Sequence, residues 1–136
     1  MPEEHLFQLD ILTADKFFTS QSAQQVVFSS PSGRLGVLAG HMPMIAAVLE
    51  DPLEIRTEDG TWRVAAAGQG FTEITQEHVR FYLDTVEWAD EIDVVRAKEA
   101  LERASARLKG SLNHMEYVRT HAAIARAITR LKVAGK

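Results

Sequence analysis

The spacing of apolar residues changes at Asp90, so no single kind of regular element can serve the whole chain. Before Asp90 the apolar runs are short and separated by turn residues. "LFQLDIL" alternates, with Phe7, Leu9 and Ile11 on one face and Gln8 and Asp10 on the other. "QQVVFSS" is closed by Pro31, Ser32 and Gly33, which favour a turn. "LEIRT" and "WRVAAA" flank "EDG", and Asp59-Gly60 predicts a hairpin between them. "GQGFTEI" and "HVRFYLDTV" predict two more strands around "TQEH". Pro43 and Pro52 fall in the turn-rich "GHMPM" and "EDPL", where a missing N–H does no harm. Many short strands at this spacing predict a β-sandwich or barrel over residues 1–88.

From Asp90 onward the period is helical. Asp90 is expected to cap the first helix, with Asp93 at the third helical position as the reciprocal member of a capping box. Val94, Ala97, Leu101, Ala104 and Leu108 make one apolar stripe. Lys109 and Gly110 predict a stop with a left-handed glycine. A second helix is expected from about Asn113 to Val133, with Ile124, Ile128 and Leu131 as its apolar face. The short connection predicts an antiparallel hairpin over residues 89–136. Its core is thin, because the apolar positions are so often alanine. Such a hairpin is expected to rest on the β part or on some other surface, and to be able to move.

Composition narrows the function. With 46% hydrophobic and 25% charged residues the chain reads as a folded soluble protein. It has no cysteine, which excludes disulfides and thiolate metal sites. The start "MPEEHLFQL" lacks the basic and apolar regions of a signal peptide. No run approaches the roughly 18 apolar residues of a membrane span. The net charge of −4 is unevenly spread. Residues 1–89 hold 5 Lys+Arg against 13 Asp+Glu, net −8, and residues 90–136 hold 10 against 6, net +4. The second part therefore suits an anion or an acidic surface.

The histidines (His5, His41, His78, His114 and His121) are scattered, and none stands at metal-ligand spacing from a partner. There is no glycine-rich phosphate loop and no nucleophile elbow, so a catalytic site is not expected. The arginines carry more information. Arg96, Arg103 and Arg107 fall at i, i+7 and i+11, and Arg119, Arg126 and Arg130 repeat that spacing. Each set lies within roughly 20° of one line along its helix. Adjoining lines would bring up to six guanidinium groups together, a donor array suited to phosphate oxygens. Asp93 or Glu87 would then be available for an amino or hydroxyl donor. The plainer reading is ion pairing on solvated faces, Arg103 with Glu99, Arg96 with Asp93, Arg107 with Glu102 and Arg119 with Glu116. Arg126 and Arg130 have no acid within one turn.

"GRLGVLAGHMPM", "GQGFTEI", "EIDVVRAKEALERASARL" and the closing Ala/Arg-rich helix, in that order, resemble the epsilon subunit of bacterial F-type ATP synthases. The resemblance covers nearly the whole chain. It implies an N-terminal β-sandwich and a C-terminal helical hairpin. It implies a place in the central rotor stalk at the cytoplasmic face of the membrane, bound to the gamma subunit and touching the c-subunit ring. It implies a non-catalytic part in coupling proton-driven rotation to ATP synthesis. Its hairpin would restrain ATP hydrolysis by extending into the alpha/beta catalytic head.

Some members of that family bind ATP in the compact hairpin through [Ile/Leu]-Asp-x-x-Arg-Ala. Ile92-Asp93-Val94-Val95-Arg96-Ala97 matches every position, and Glu87 precedes it at the spacing of the family's acidic contact. Arg103 matches a further arginine of the first helix, and Arg126 and Arg130 match the pair in the last. The resemblance thus implies Ile92, Asp93 and Ala97 around an adenine. Arg126 and Arg130 would be on the phosphates with help from Arg96. ATP would be a regulatory ligand, with no obligatory cofactor and no metal demanded by the sequence. Arg34, Gly40 and His41 are expected in the segment that meets the partner subunits. Three positions depart from the family's pattern: Ala39 replaces a proline, Gln69 a glycine, and Arg34 an often acidic residue. A helical-hairpin adaptor of another large enzyme, such as an RNA polymerase, is the alternative. Such adaptors carry acidic tips, and the tip here, from Lys109 to His114, has no acid.

Overall fold

The computed structural model describes residues 5–135. The domain limits expected at residues 1 and 136, and the acids at 3 and 4, lie outside them. Nine strands precede two helices: β1 Phe7–Leu12, β2 Phe17–Ser30, β3 Gly33–Leu38, β4 Met44–Val48, β5 Asp51–Thr57, β6 Trp62–Ala67, β7 Gly70–Ile74, β8 His78–Leu83 and β9 Val86–Trp88. A 3-10 turn, Ala89–Glu91, leads to α1 Val94–Leu108 and α2 His114–Val133. This is the β-sandwich followed by a helical hairpin that the change of period predicts.

The strands form one hydrogen-bonded path, β4-β7-β8-β1-β2-β5-β6-β9, with β3 on β2. Every pairing is antiparallel except β1 with β8, where Gln8 lies opposite His78. β2 is 14 residues long and pairs β1 from Phe17 to Ala23 and β3 from Gln25 to Ser30. Its register against β5 shifts between Ala23 and Gln25, a bulge that bends the strand so one ladder can close over its own core. That core is Leu9, Ile11, Val26, Phe28, Leu53, Ile55, Ile74, Val79 and Phe81, all 1% exposed or less. Phe28 and Phe81 meet edge to face at 5.4 Å, the geometry their ring quadrupoles favour.

The Asp59-Gly60 hairpin forms as read, with Gly60 at φ 89°. Gly70 allows the closest backbone approach: a Cβ there would stand 1.9 Å from the Tyr82 carbonyl oxygen. Pro52 is inside β5, not in a turn, but it precedes the part of β5 that pairs with β2. Asp10 departs from the alternation in another way. It points away from the core, yet it is only 7% exposed, because polar side chains of β1, β2 and β8 cover it.

Three expectations for the hairpin are corrected. The cap of α1 is Asp93, whose carboxylate accepts from the Arg96 amide at 3.1 Å; Asp90 lies in the 3-10 turn. The reciprocal box shifts too, with the Trp88 amide donating to Glu91 at 3.0 Å. The chain leaves α1 through Lys109 in ordinary right-handed geometry, and Gly110 is not left-handed. The apolar face of α2 is also placed differently: Ile128 is 40% exposed and Leu108 of α1 36%, while Ala97, Ala104, Thr120, Ala127 and Thr129 are buried. Asn113 caps α2, accepting from the Glu116 amide at 2.8 Å, as its position predicts. α2 packs against α1 on one side and against β5 and β6 on another.

Candidate functional site

The C-terminal half of α2 faces the sandwich across a cleft of about 380 Å³. Arg126, Thr129 and Arg130 line its helical side. Thr13 and Lys16 of the β1–β2 turn, Glu50, Ala66, Ala67, Asp84 and Glu87 line the other. Arg130 donates from two nitrogens to the Glu87 carboxylate, the forked geometry that suits arginine and carboxylate. Arg126 holds its Nε 3.9 Å from Glu50 Oε2. Two residues beyond Arg130, Lys132 Nζ stands 3.7 Å from Asp51 Oδ1. The basic helix is thus seated on acids of the sandwich, which is where the opposite net charges of the two parts meet.

Glu50 sits differently from Glu87. Its side chain is only 6% exposed, and the cation facing it is Arg126. Burial pushes its carboxyl above the ordinary range; Arg126 opposes this and Asp84 adds to it.

The expected ligand residues are only partly brought together. Glu87, Arg126 and Arg130 line one cleft. Ile92, Asp93, Arg96, Ala97 and Arg103 do not line it. Asp93 is engaged in capping, Ile92 is half-buried beside it, and Ala97 is fully buried in α1. Arg96 and Arg103 are exposed. None of the four plainer ion pairs, Arg103 with Glu99, Arg96 with Asp93, Arg107 with Glu102 or Arg119 with Glu116, forms among the described residues. The Glu116 carboxylate instead accepts from the Asn113 side chain at 2.5 Å. Glu50 has no counterpart in the sequence reading. It lies in the short β4–β5 connection, and nothing local marks an acid there as facing an arginine 76 residues further on.

Arg34 opens β3, while Gly40 and His41 lie beyond its other end. Arg34 is tied to β5, donating to Glu54 at 2.7 Å and to the Pro52 carbonyl at 2.6 Å. Gly40, at φ 81°, donates its amide to Gln76 at 3.0 Å, and His41 Nδ1 is 2.8 Å from the Met42 carbonyl. Around this second loop large apolar residues are exposed: Leu38 at 59%, Met42 at 77%, Ile45 at 72% and Phe71 at 48%. No described helix is long and apolar enough to cross a membrane.

Residues 6–89 match the family described as ATP synthase, Delta/Epsilon chain, beta-sandwich domain, and residues 90–135 match its long alpha-helix domain. The chain therefore belongs to the ATP synthase delta/epsilon family. Within it the similarity is to epsilon chains. The ATP synthase epsilon chain of Ruminiclostridium cellulolyticum is 42% identical over 96% of both chains. That of Ruminococcus albus is 34% identical over 96% of this chain and 98% of its own. Among solved structures, a chain of the Euglena gracilis mitochondrial ATP synthase OSCP/F1/c-ring assembly superposes with a TM-score of 0.83. It is 22% identical and covers 97% of this chain and 82% of its own.

Proposed function

We propose that the chain is a central-stalk rotor subunit of a proton-translocating ATP synthase, held peripherally at the cytoplasmic face of a bacterial membrane and without an active site of its own. Its sandwich binds a gamma subunit and a c-subunit ring, coupling rotation to ATP synthesis. The exposed apolar cluster of Leu38, Met42, Ile45 and Phe71 beside His41 supports this, since such a patch favours a protein partner. The Euglena neighbour comes from an assembly that contains a c-ring, which supports the second partner. The hairpin regulates: it leaves the sandwich, reaches the alpha/beta catalytic head and restrains ATP hydrolysis.

ATP acts on this equilibrium as a regulatory ligand. The observation that carries the reading is the pair Arg126 and Arg130, one helical turn apart, both directed at the cleft under α2. Each guanidinium presents planar, permanently charged donors to phosphate oxygens. The start of α1 turns toward the cleft when ATP enters, so that Ile92, Asp93 and Ala97 surround the adenine, with Arg96, Arg103 and Glu87 as further contacts. A ligand that binds only the compact hairpin stabilises it by RT ln(1 + [L]/Kd), about 2.7 kcal/mol at a concentration of 100 Kd.

Calorimetric titration of the whole chain with ATP tests the ligand. One site is expected, weakened about tenfold or more in Arg126→Ala through loss of a charge-assisted contact. No heat at millimolar ATP, or an unchanged isotherm in the variant, removes the nucleotide reading. Co-purification with the gamma subunit tests the stalk role, and failure to bind gamma overturns it.

A further inference from the structure

Glu50 and Glu87 both face arginines of α2 across the same cleft, but only one of them is well held. Glu87 receives two donors from Arg130. Glu50 has a side chain 6% exposed, and its ion-pair partner, Arg126, stands 3.9 Å away. A largely covered carboxylate held by one cation at that distance is costly to keep charged. The groups around it are mixed in sign. Arg126 and Arg130 approach from α2, Asp84 from the β8–β9 turn, Asp15 and Lys16 from the β1–β2 turn, and Glu87 from β9. The neighbouring Asp51 is engaged elsewhere, with Ser29, Arg34 and Lys132.

We propose that Glu50 is a competitor built into the phosphate end of the nucleotide site. Its carboxylate holds Arg126 while the cleft lacks an anion, and it gives Arg126 up by taking on a proton when a polyphosphate enters. The proposal rests on the reading of Arg126 and Arg130 as the phosphate-holding pair. The physical reason is like-charge repulsion. Phosphate oxygens brought beside the Glu50 carboxylate make its charged form more costly, and uptake of a proton by Glu50 relieves that repulsion. Burial has already moved Glu50 in that direction. The neutral acid can then donate its proton to a phosphate oxygen instead of repelling it. Glu50 thereby makes nucleotide affinity rise as pH falls, and it sets that affinity below what the arginines alone would give.

The test compares the whole chain with Glu50→Gln, which keeps the volume and the hydrogen-bonding capacity but removes the charge. ATP is titrated calorimetrically into each at about pH 8 and about pH 6, and the ratio of the two dissociation constants is read. Taking the ratio cancels the titration of ATP itself. At about pH 8 Glu50→Gln is expected to bind about tenfold more tightly, and the ratio is expected to shrink as the pH is lowered to about 6. Glu50→Ala should move in the same direction at pH 8, and the helical circular dichroism of both variants confirms that they are folded. A ratio of one at both pH values, with ATP bound, overturns the role of Glu50 and leaves the arginines in place. A tighter variant whose advantage does not change with pH overturns the proton uptake. Absence of binding in both proteins overturns the phosphate reading along with it.

Discussion

Asp10 shows how one side chain can be buried without belonging to the hydrophobic core. Burial by itself would raise its carboxyl, but donors from Ser20, His78, Gln8 and Arg80 outweigh that and hold it far below its ordinary 3.8. His78 Nε2 stands 2.9 Å from Asp10 Oδ2, and Ser20 donates to Asp10 at 2.7 Å. A depressed carboxyl contributes stability that is complete above its ordinary value and lost as pH falls from there toward the folded value. Urea unfolding at about pH 7 and about pH 3 should show the chain losing stability in acid, with the loss clearly smaller in Asp10→Asn. An equal loss in both proteins would remove Asp10 as its source. Asp93 makes the corresponding point about reading. Two acids near a helix start were legible, but which one caps depends on where the 3-10 turn Ala89–Glu91 ends. Thermal melts followed at the helical signal should show Asp93→Ala costing about 1 kcal/mol and Asp90→Ala close to nothing.

The elements divide by how local their causes are. The strands were legible because alternation and turn residues act over a few positions, as the β5–β6 hairpin shows. The faces of α2 were not. Ala127 and Thr129 are both buried, yet they are two residues apart, roughly 200° around the helix. A helix burying two opposed sides is held between two partners, and sequence alone does not say that the sheet is one of them. This is why Thr120 and Thr129 are covered while Ile128 is left at 40% exposure. It is also why the arginines split, Arg126 and Arg130 turning toward the sandwich and Arg96 and Arg103 toward solvent. Because α2 is seated through partly exposed ion pairs, its docking should weaken with salt. Hydrogen exchange of the α2 amides is expected to quicken as salt rises to about 1 M, where charges are screened within about 3 Å. The amides of β1 and β8 should change little, and equal quickening in both places would count against charge as the hold.

At the scale of the whole molecule the two parts are unequal. Every residue of the large apolar cluster lies at or before Trp88, whereas the buried apolar residues of the hairpin are Ala97, Ala104 and Ala127. A chain ending at residue 89 should therefore unfold cooperatively, while residues 90–136 alone should show little helix in water. A stable isolated hairpin, or an unfolded truncated chain, would contradict this division. The division also bears on synthesis. β1 is flanked by β2, its neighbour in sequence, and by β8, whose register begins with Gln8 against His78. The first strand of the sandwich to leave the ribosome is therefore among the last to gain both of its neighbours. Until β8 arrives, one edge of β1 stays open, with Leu9 and Ile11 beside it. Such distant pairings put folding on the slow scale of milliseconds to seconds, and they make that edge the place where a half-made chain is most open to pairing with the wrong strand.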